Sequence, residues 1–364
     1  MHISGFLVAA DAKTSNRRGV TIEVGTVDRG FTIGGVRIGG RVLLAPMTGV
    51  SDLPFRRAAA RLGAAYVATE MVACESFAQG RPDVVRRAAV GEGLPLTVIQ
   101  LVGREPRWLA KGAALAEAAG ADIIDINMGC PAKEVTGALS GSALMRDLDL
   151  AERLIAAAVN ATARPVTLKM RLGWDGDSLN APELAARAER VGVRAITVHG
   201  RTRQQFYKGA ADWRAVSAVR AATKLPLIVN GDITDAATAR EALKQSGADA
   251  IMIGRGAYGR PWIAAGIDNA LQSGRDVAEP GPLKRLEIVL EHLAETLRFY
   301  GDALGLKIFR KHLGSYVEKA SWPSDVETRR AAKASACRLE SARDIEAALT
   351  ALWCGAQQAD ALAA

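Results

Sequence analysis

The chain has 364 residues, room for one large domain and a smaller companion. Apolar residues make up 49% and aromatics 5%, so the core is built from Ala, Val, Leu and Ile, which favours a parallel α/β architecture over an aromatic-rich sandwich. Lys and Arg total 47 against 39 Asp and Glu, a net charge of +8 that leans mildly toward a polyanionic partner and fits an ordinary basic protein equally well.

Residues 1–30 place a short apolar patch ahead of their charges, the reverse of a signal peptide, and read as a flexible extension or a start placed too early. The four cysteines, Cys74, Cys130, Cys337 and Cys354, form no C-x-x-C pair, and with four His they make no zinc pattern. A reducing cytoplasm and no metal are therefore expected. No apolar run reaches the roughly 18 residues a membrane span needs, so no membrane association is expected.

From residue 41 a short β-branched run, a loop and an Ala-rich amphipathic stretch recur. The strand candidates in order are RVLLAP (41–46), AAYVATE (64–70), PLTVIQL (95–101), ADIIDIN (121–127), RPVTLKM (164–170), VRAITVHG (193–200), LPLIVNG (225–231) and GADAIMIG (247–254). Helix candidates such as 52–63, 106–120 and 234–247 lie between them, several closed by a Gly suited to a helix C-cap. Eight such units in unbroken alternation predict a (β/α)₈ TIM barrel over residues 31–275. A break rich in Gly and Pro, QSGRDVAEPGPL (272–283), precedes purely helical patterning, so residues 283–355 are expected to form a C-terminal all-helical domain.

A barrel carries its active site at the C-terminal ends of its strands. Those ends here supply Pro46, Met47, Glu70, Gln100, Asn127, Cys130, Lys169, His199, Asn230, Gly254 and Arg255. NGD (230–232) and GRG (254–256) end the last two strands, where barrels commonly hold a phosphate. Lys169, at the end of a buried strand, suits either a Schiff base or the negative charge of a reduced flavin ring. Composition does not choose between the two. Met47 and Pro46 offer an apolar rim for a flat ring.

DIIDINMGCPAKEV (122–135) ends a buried strand on a thiol. Pro131 biases Cys130 toward extended geometry, and Gly129 permits an unusual turn before it. The long following loop, with Gly137 and Gly141, reads as a mobile lid over a proton donor or nucleophile.

The segments LLAPMTGVSDLPFR (43–56), DINMGCPAKEV (125–135), VTLKMRLGW (166–174), VHGRTRQQ (198–205), VNGDIT (229–234) and IMIGRGAYGRPWI (251–263) together resemble the bacterial tRNA-dihydrouridine synthases, closest to the B-type subgroup. The likeness runs from residue 31 onward, and FRKHLGSY (309–316) is similar to a helix of the family's tail. The resemblance implies an FMN barrel with a helical tRNA-binding domain that reduces the C5–C6 bond of D-loop uridines with NADPH, acting as a cytoplasmic monomer. It implies that Pro46, Met47 and Thr48 touch the flavin ring. Gln100 and Lys169 would bind its pyrimidine edge, and His199 would lie beside it. Asn230, Gly231, Asp232, Gly254 and Arg255 would hold the ribityl chain and phosphate. Cys130 would be the general acid, and Asn127, Arg201, Arg310 and Lys311 would contact the RNA substrate.

Two residues depart from the family pattern. Thr48 stands where Ala is common, and Ser315 stands where Trp is usual. Rival readings are a dihydroorotate-dehydrogenase-like barrel acting on a free pyrimidine and a non-catalytic RNA-binding protein. Residues 281–364 carry 12 basic and 11 acidic groups, so RNA binding by the tail rests on local faces such as Lys307, Arg310 and Lys311, which share helical spacing.

Overall fold

The computed structural model describes residues 30–363 apart from 138 and 324, so the expected extension falls almost wholly outside the described residues. A small antiparallel hairpin, β1 (Phe31–Ile33) and β2 (Val36–Ile38), opens the described chain. Eight parallel strands follow: β3 (Val42–Leu44), β4 (Ala68–Ala73), β5 (Val98–Val102), β6 (Ile123–Met128), β7 (Val166–Arg171), β8 (Ala195–His199), β9 (Leu227–Asn230) and β10 (Ala250–Ile253). Neighbours pair in chain order from β4 to β10, and β10 then pairs with β3. A parallel bridge between Leu44 and Val67, with the Leu44 amide 3.0 Å from the Tyr66 carbonyl, closes the ring. The architecture is the α/β barrel expected.

Each strand lies within or close to its sequence segment. The largest displacement is β4, which begins at Ala68 because the register shifts between Ala68 and Met71. At that bulge the Thr69 hydroxyl takes the Gln100 amide at 3.0 Å, standing in for a ladder bond. The helices between strands carry the caps their sequence suggests. Asp52 receives the Phe55 amide at the start of Leu53–Arg61. Asp235 and Thr238 form a reciprocal capping box, and Gly247 closes that helix at φ 65°.

After the helix Ile263–Ser273 the chain continues as four helices, Pro282–Tyr300, Asp302–Glu318, Val326–Ala336 and Ala342–Ala363. They enclose a second apolar core around Val289, Phe309, Leu313, Tyr316 and Trp353. Barrel and tail meet closely. Phe55 stacks on His312 with ring centroids 5.6 Å apart, and Arg61 pairs with Glu295 at 2.6 Å. A β-carbon on Gly259, at φ +66°, would collide with the Ser315 carbonyl. The small residue at 315 thus lies where a barrel loop abuts the helix backbone. Among the described residues no helix is long and apolar enough to cross a membrane.

Candidate active site

Alternation along β7 sends Thr167, Lys169 and Arg171 to the same face at three successive heights. Each meets a partner on a neighbouring element. Lowest, the Thr167 hydroxyl donates to Asp125 Oδ1 at 2.6 Å, and Gln100 Nε2 donates to Asp125 Oδ2 at 2.6 Å. Burial pushes the Asp125 carboxyl up, against the pull of those two donors. Gln100 Oε1 in turn accepts from Asn127 Nδ2 at 2.8 Å. Gln100 is fully buried and does not border the cavity described below. Both ends of its amide are engaged inside the barrel, with one Nε2 hydrogen and one Oε1 lone pair remaining.

At the middle height, Lys169 Nζ donates to Asn230 Oδ1 at 3.0 Å, and Asn230 Nδ2 donates to the Met252 carbonyl at 2.7 Å. Burial lowers the Lys169 pKa from its ordinary 10.5 to about 8, opposed by the charge of Asp125. An ammonium has three donors, so Lys169 retains hydrogens to offer the cavity it lines.

At the rim, Arg171 Nε donates to the Gly129 carbonyl at 2.8 Å, and Nη1 donates to the carbonyls of Thr202 and Phe206 at 2.8 Å each. The Cys130 loop is held from two further sides. Asn127 Oδ1 accepts the amides of Gly129 and Cys130 at 3.1 and 2.9 Å. The Cys130 carbonyl accepts both the Ser142 amide at 3.1 Å and the Ser142 hydroxyl at 2.8 Å. Burial raises the Cys130 pKa, only partly offset by Arg171 and Lys169, so the thiol keeps its proton at neutral pH. The carbonyl of Asn127, expected to meet substrate, is committed to this loop. Its amide retains one hydrogen beyond the bond to Gln100.

On the next strands, burial and then the charges of Lys169, Arg171 and Arg201 drive His199 well below its usual pKa, leaving it neutral. Arg201 Nη1 lies 3.2 Å from His199 Nε2. A guanidinium can only donate, so Nε2 accepts and Nδ1 carries the ring hydrogen. Arg201 is 1% exposed and stands behind the cavity wall, bonded to Asp232 Oδ2 at 2.5 Å and to the carbonyls of Lys208 and Gly209. These bonds order the loop after β8. Asp232 also receives the Ala211 amide at 2.8 Å and Arg255 Nη2 at 3.3 Å. Gly231 adopts φ 120°, and a β-carbon there would press on the His199 ring at 2.8 Å. A β-carbon on Gly254 would meet nothing nearer than Ala45 at 4.0 Å.

Pro46, Met47 and Thr48 form the facing wall. Their turn is fixed by Ser51 Oγ on the Met47 amide at 2.9 Å and by Glu70 Oε1 on the Gly49 amide at 2.5 Å. The walls enclose a cavity of about 860 Å³, bordered also by Cys130, Lys169, His199 and the turns at Gly231 and Gly254. That is ample for a dinucleotide-sized or flavin-sized ligand. The part-free Lys169 ammonium and the glycine turns beside Arg255 fit a flat ring with an anionic tail.

The tail reaches the mouth of this cavity. Lys311 Nζ donates to the Thr48 carbonyl at 3.0 Å and sits 5.8 Å over the Tyr258 ring. Lys319 borders the cavity itself. Arg310, expected on the same presenting face, turns inward instead: its Nη2 reaches the Leu339 carbonyl at 3.4 Å and its Nε is buried. Arg171, Ser142 and Lys319 were not singled out from the sequence. The polar alternation of VTLKMR signals the first; the other two carry no local signal.

The chain matches the family described as dihydrouridine synthase (Dus) over residues 43–352. It is 55% identical over 303 residues to a "Probable tRNA-dihydrouridine synthase" of Rhodobacter capsulatus, covering 83% of this chain and 93% of that one. It is 44% identical over 287 residues to tRNA-dihydrouridine synthase B of Pseudomonas aeruginosa, covering 78% and 86%. Among solved structures, an amine oxidase of Pseudomonas geniculata matches with a TM-score of 0.53 at 14% identity, over 68% of this chain and 49% of that one. A morphinone reductase variant matches at 0.50 and 17%, over 70% and 93%. These structures share the barrel fold.

Proposed function

The chain belongs to the dihydrouridine synthase family, and from that premise we propose how this tRNA-modifying, NAD(P)H-dependent flavin oxidoreductase works: it holds FMN in the barrel cavity, draws electrons from NADPH and reduces D-loop uridines to 5,6-dihydrouridine. The chemistry a bound flavin would supply is hydride for C6 of the uracil ring. The protein's own residues do the rest. Lys169 would offer its remaining hydrogens to the pyrimidine edge of the flavin. Pro46, Met47 and Thr48 would form a face for the ring, neutral His199 would lie beside it, and Asn230, the Gly231–Asp232 turn, Gly254 and Arg255 would take the ribityl chain and phosphate.

Negative charge that develops at C5 of uracil needs a proton. Cys130 Sγ holds one, on a loop fixed by Asn127, Arg171 and Ser142 at the cavity wall. This is the single observation that most supports the mechanism: a thiol kept protonated by burial and presented by its backbone. The target base must leave the folded tRNA to reach it. Lys311 and Lys319 stand where the RNA backbone would pass. Residues 31–275 then act as the catalytic unit and residues 283–355 as the RNA-binding unit of a cytoplasmic monomer.

The deciding experiment maps dihydrouridine in tRNA from cells lacking this protein and restores it with the wild-type and Cys130→Ala forms. Loss at defined positions, restored by wild type alone, is expected. An unchanged dihydrouridine profile would overturn the activity, and full restoration by the variant would remove Cys130 from it.

A further inference from the structure

Three chemically capable side chains converge where barrel and tail meet. Asp52 caps the barrel helix Leu53–Arg61, while His292 and His312 come from the tail helices Pro282–Tyr300 and Asp302–Glu318. One carboxylate oxygen and one ring nitrogen from each histidine lie within 4.8 Å of one another. The three residues are 4%, 0% and 4% exposed. None borders the barrel cavity.

Hydrogen bonding leaves this cluster incomplete. His292 Nδ1 lies 3.0 Å from the Tyr316 hydroxyl, while its Nε2 is buried without a partner. His312 Nε2 is likewise buried and unpartnered. Buried ring nitrogens are normally satisfied, and two orphans beside one carboxylate call for a common partner. The Tyr316 contact also matches the second shell of a metal-bound imidazole, which donates its other ring hydrogen to an oxygen and so turns a lone pair toward the ion. Phe55, stacked on His312, and Phe309, 5.3 Å from His292, provide a dry surround.

We propose that Asp52, His292 and His312 bind a divalent transition-metal ion, zinc by preference, that staples the barrel to its helical tail. Two imidazoles and one carboxylate are a three-ligand donor set suited to zinc, with a fourth position left for a water molecule, and a redox-inert ion suits a bridging role between barrel and tail. Zinc draws its ligands to about 2.0–2.1 Å, so binding pulls the three side chains inward by small rotations. Tyr300 lies beside the Asp52 carboxylate. No metal is expected from the sequence because it offers no ligand spacing to read: the three residues stand at 52, 292 and 312. Their effect would be local to the cofactor rim, since Asp52 follows the turn of Thr48, whose carbonyl is already held by Lys311.

The test uses the full-length protein, purified without chelator from zinc-supplemented cells. Its metal content is measured by mass spectrometry, and the metal-stripped protein is titrated with Zn²⁺ and with Co²⁺. The expected results are about one zinc retained per chain, visible Co²⁺ absorption, and a thermal midpoint that rises with either ion. Asp52→Asn, His292→Asn and His312→Gln should each weaken Co²⁺ binding at least tenfold, with flavin content and circular dichroism reporting that the chain still folds. Wild-type protein that retains no zinc and gains neither absorption nor stability from added ion would overturn the proposal. So would binding of undiminished strength in the folded variants, which would mark the ion as adventitious. If the variants do not fold, the wild-type titration decides alone.

Discussion

Asn127 holds Cys130 by its backbone: one side-chain oxygen accepts the Cys130 amide at 2.9 Å and the Gly129 amide at 3.1 Å. The residue that ends β6 therefore shapes the loop that presents the thiol. Replacing Asn127 by Ala leaves two amides to find other partners, a cost of about 1–3 kcal/mol that loosens the thiol's position. Single-turnover reduction of tRNA should slow by about tenfold to a hundredfold, since about 1.4 kcal/mol is a decade in rate. Flavin content should stay at the wild-type level. An unaltered rate would show that the loop keeps its shape through Arg171 and Ser142.

On the proposed mechanism, Cys130→Ala would remove the proton donor and leave the residues proposed to hold the flavin in place. NADPH oxidation by oxygen should persist, while uridine reduction falls by about 10²–10⁴-fold, the usual worth of general acid catalysis. Both rates are measured on one preparation.

Lys169 gives a pH signature. Its pKa of about 8 in the fold lies below its ordinary 10.5, so the unfolded chain binds more protons between those values. By linkage, stability of the flavin-free protein should rise as pH climbs from about 8 toward 10.4. If Lys169 meets the flavin ring as proposed, flavin affinity should move the opposite way, because its charge is lost as pH rises past about 8. Denaturant midpoints and flavin fluorescence titrations across pH 7–10 read the two trends. Lys169→Ala should abolish both and release flavin during purification.

Lys311 and Lys319 should carry the tail's electrostatic contribution. Changing both to Ala should weaken tRNA binding and flatten its dependence on salt, because fewer counterions are released. Filter binding at several salt concentrations measures the slope. Arg310→Ala should act through packing instead, lowering the thermal midpoint with little change in slope, since its guanidinium faces Leu339.

The barrel was legible because short apolar runs alternate with Ala-rich helices, some of them carrying their own caps at Asp52, Asp147 and Asp235. The strand-end polar residues were legible for the same reason. What the sequence does not tell is the height at which a polar side chain settles inside the ring. Gln100 lies near the end of β5 and Arg201 two residues past β8, yet one bonds Asp125 and Asn127 and the other Asp232 and loop carbonyls. Arg171 was overlooked although it continues the alternation of Thr167 and Lys169. In the tail, helical spacing groups Arg310 with Lys311, but docking on the barrel divides them. Asp52, His292 and His312 meet only through that docking.

The contact of Gly259 with the Ser315 backbone, together with the hold of Lys311 on Thr48, has a bearing on how such enzymes diverge. A tail cannot be exchanged between relatives as a free-standing reader of RNA. A grafted helix must bring a backbone that still fits against Gly259, and the exchange carries away Lys311, which holds the Thr48 carbonyl at the cavity mouth. Chimeras meant to redirect which uridine is modified should therefore transplant residues 46–52 and 258–260 with the helices.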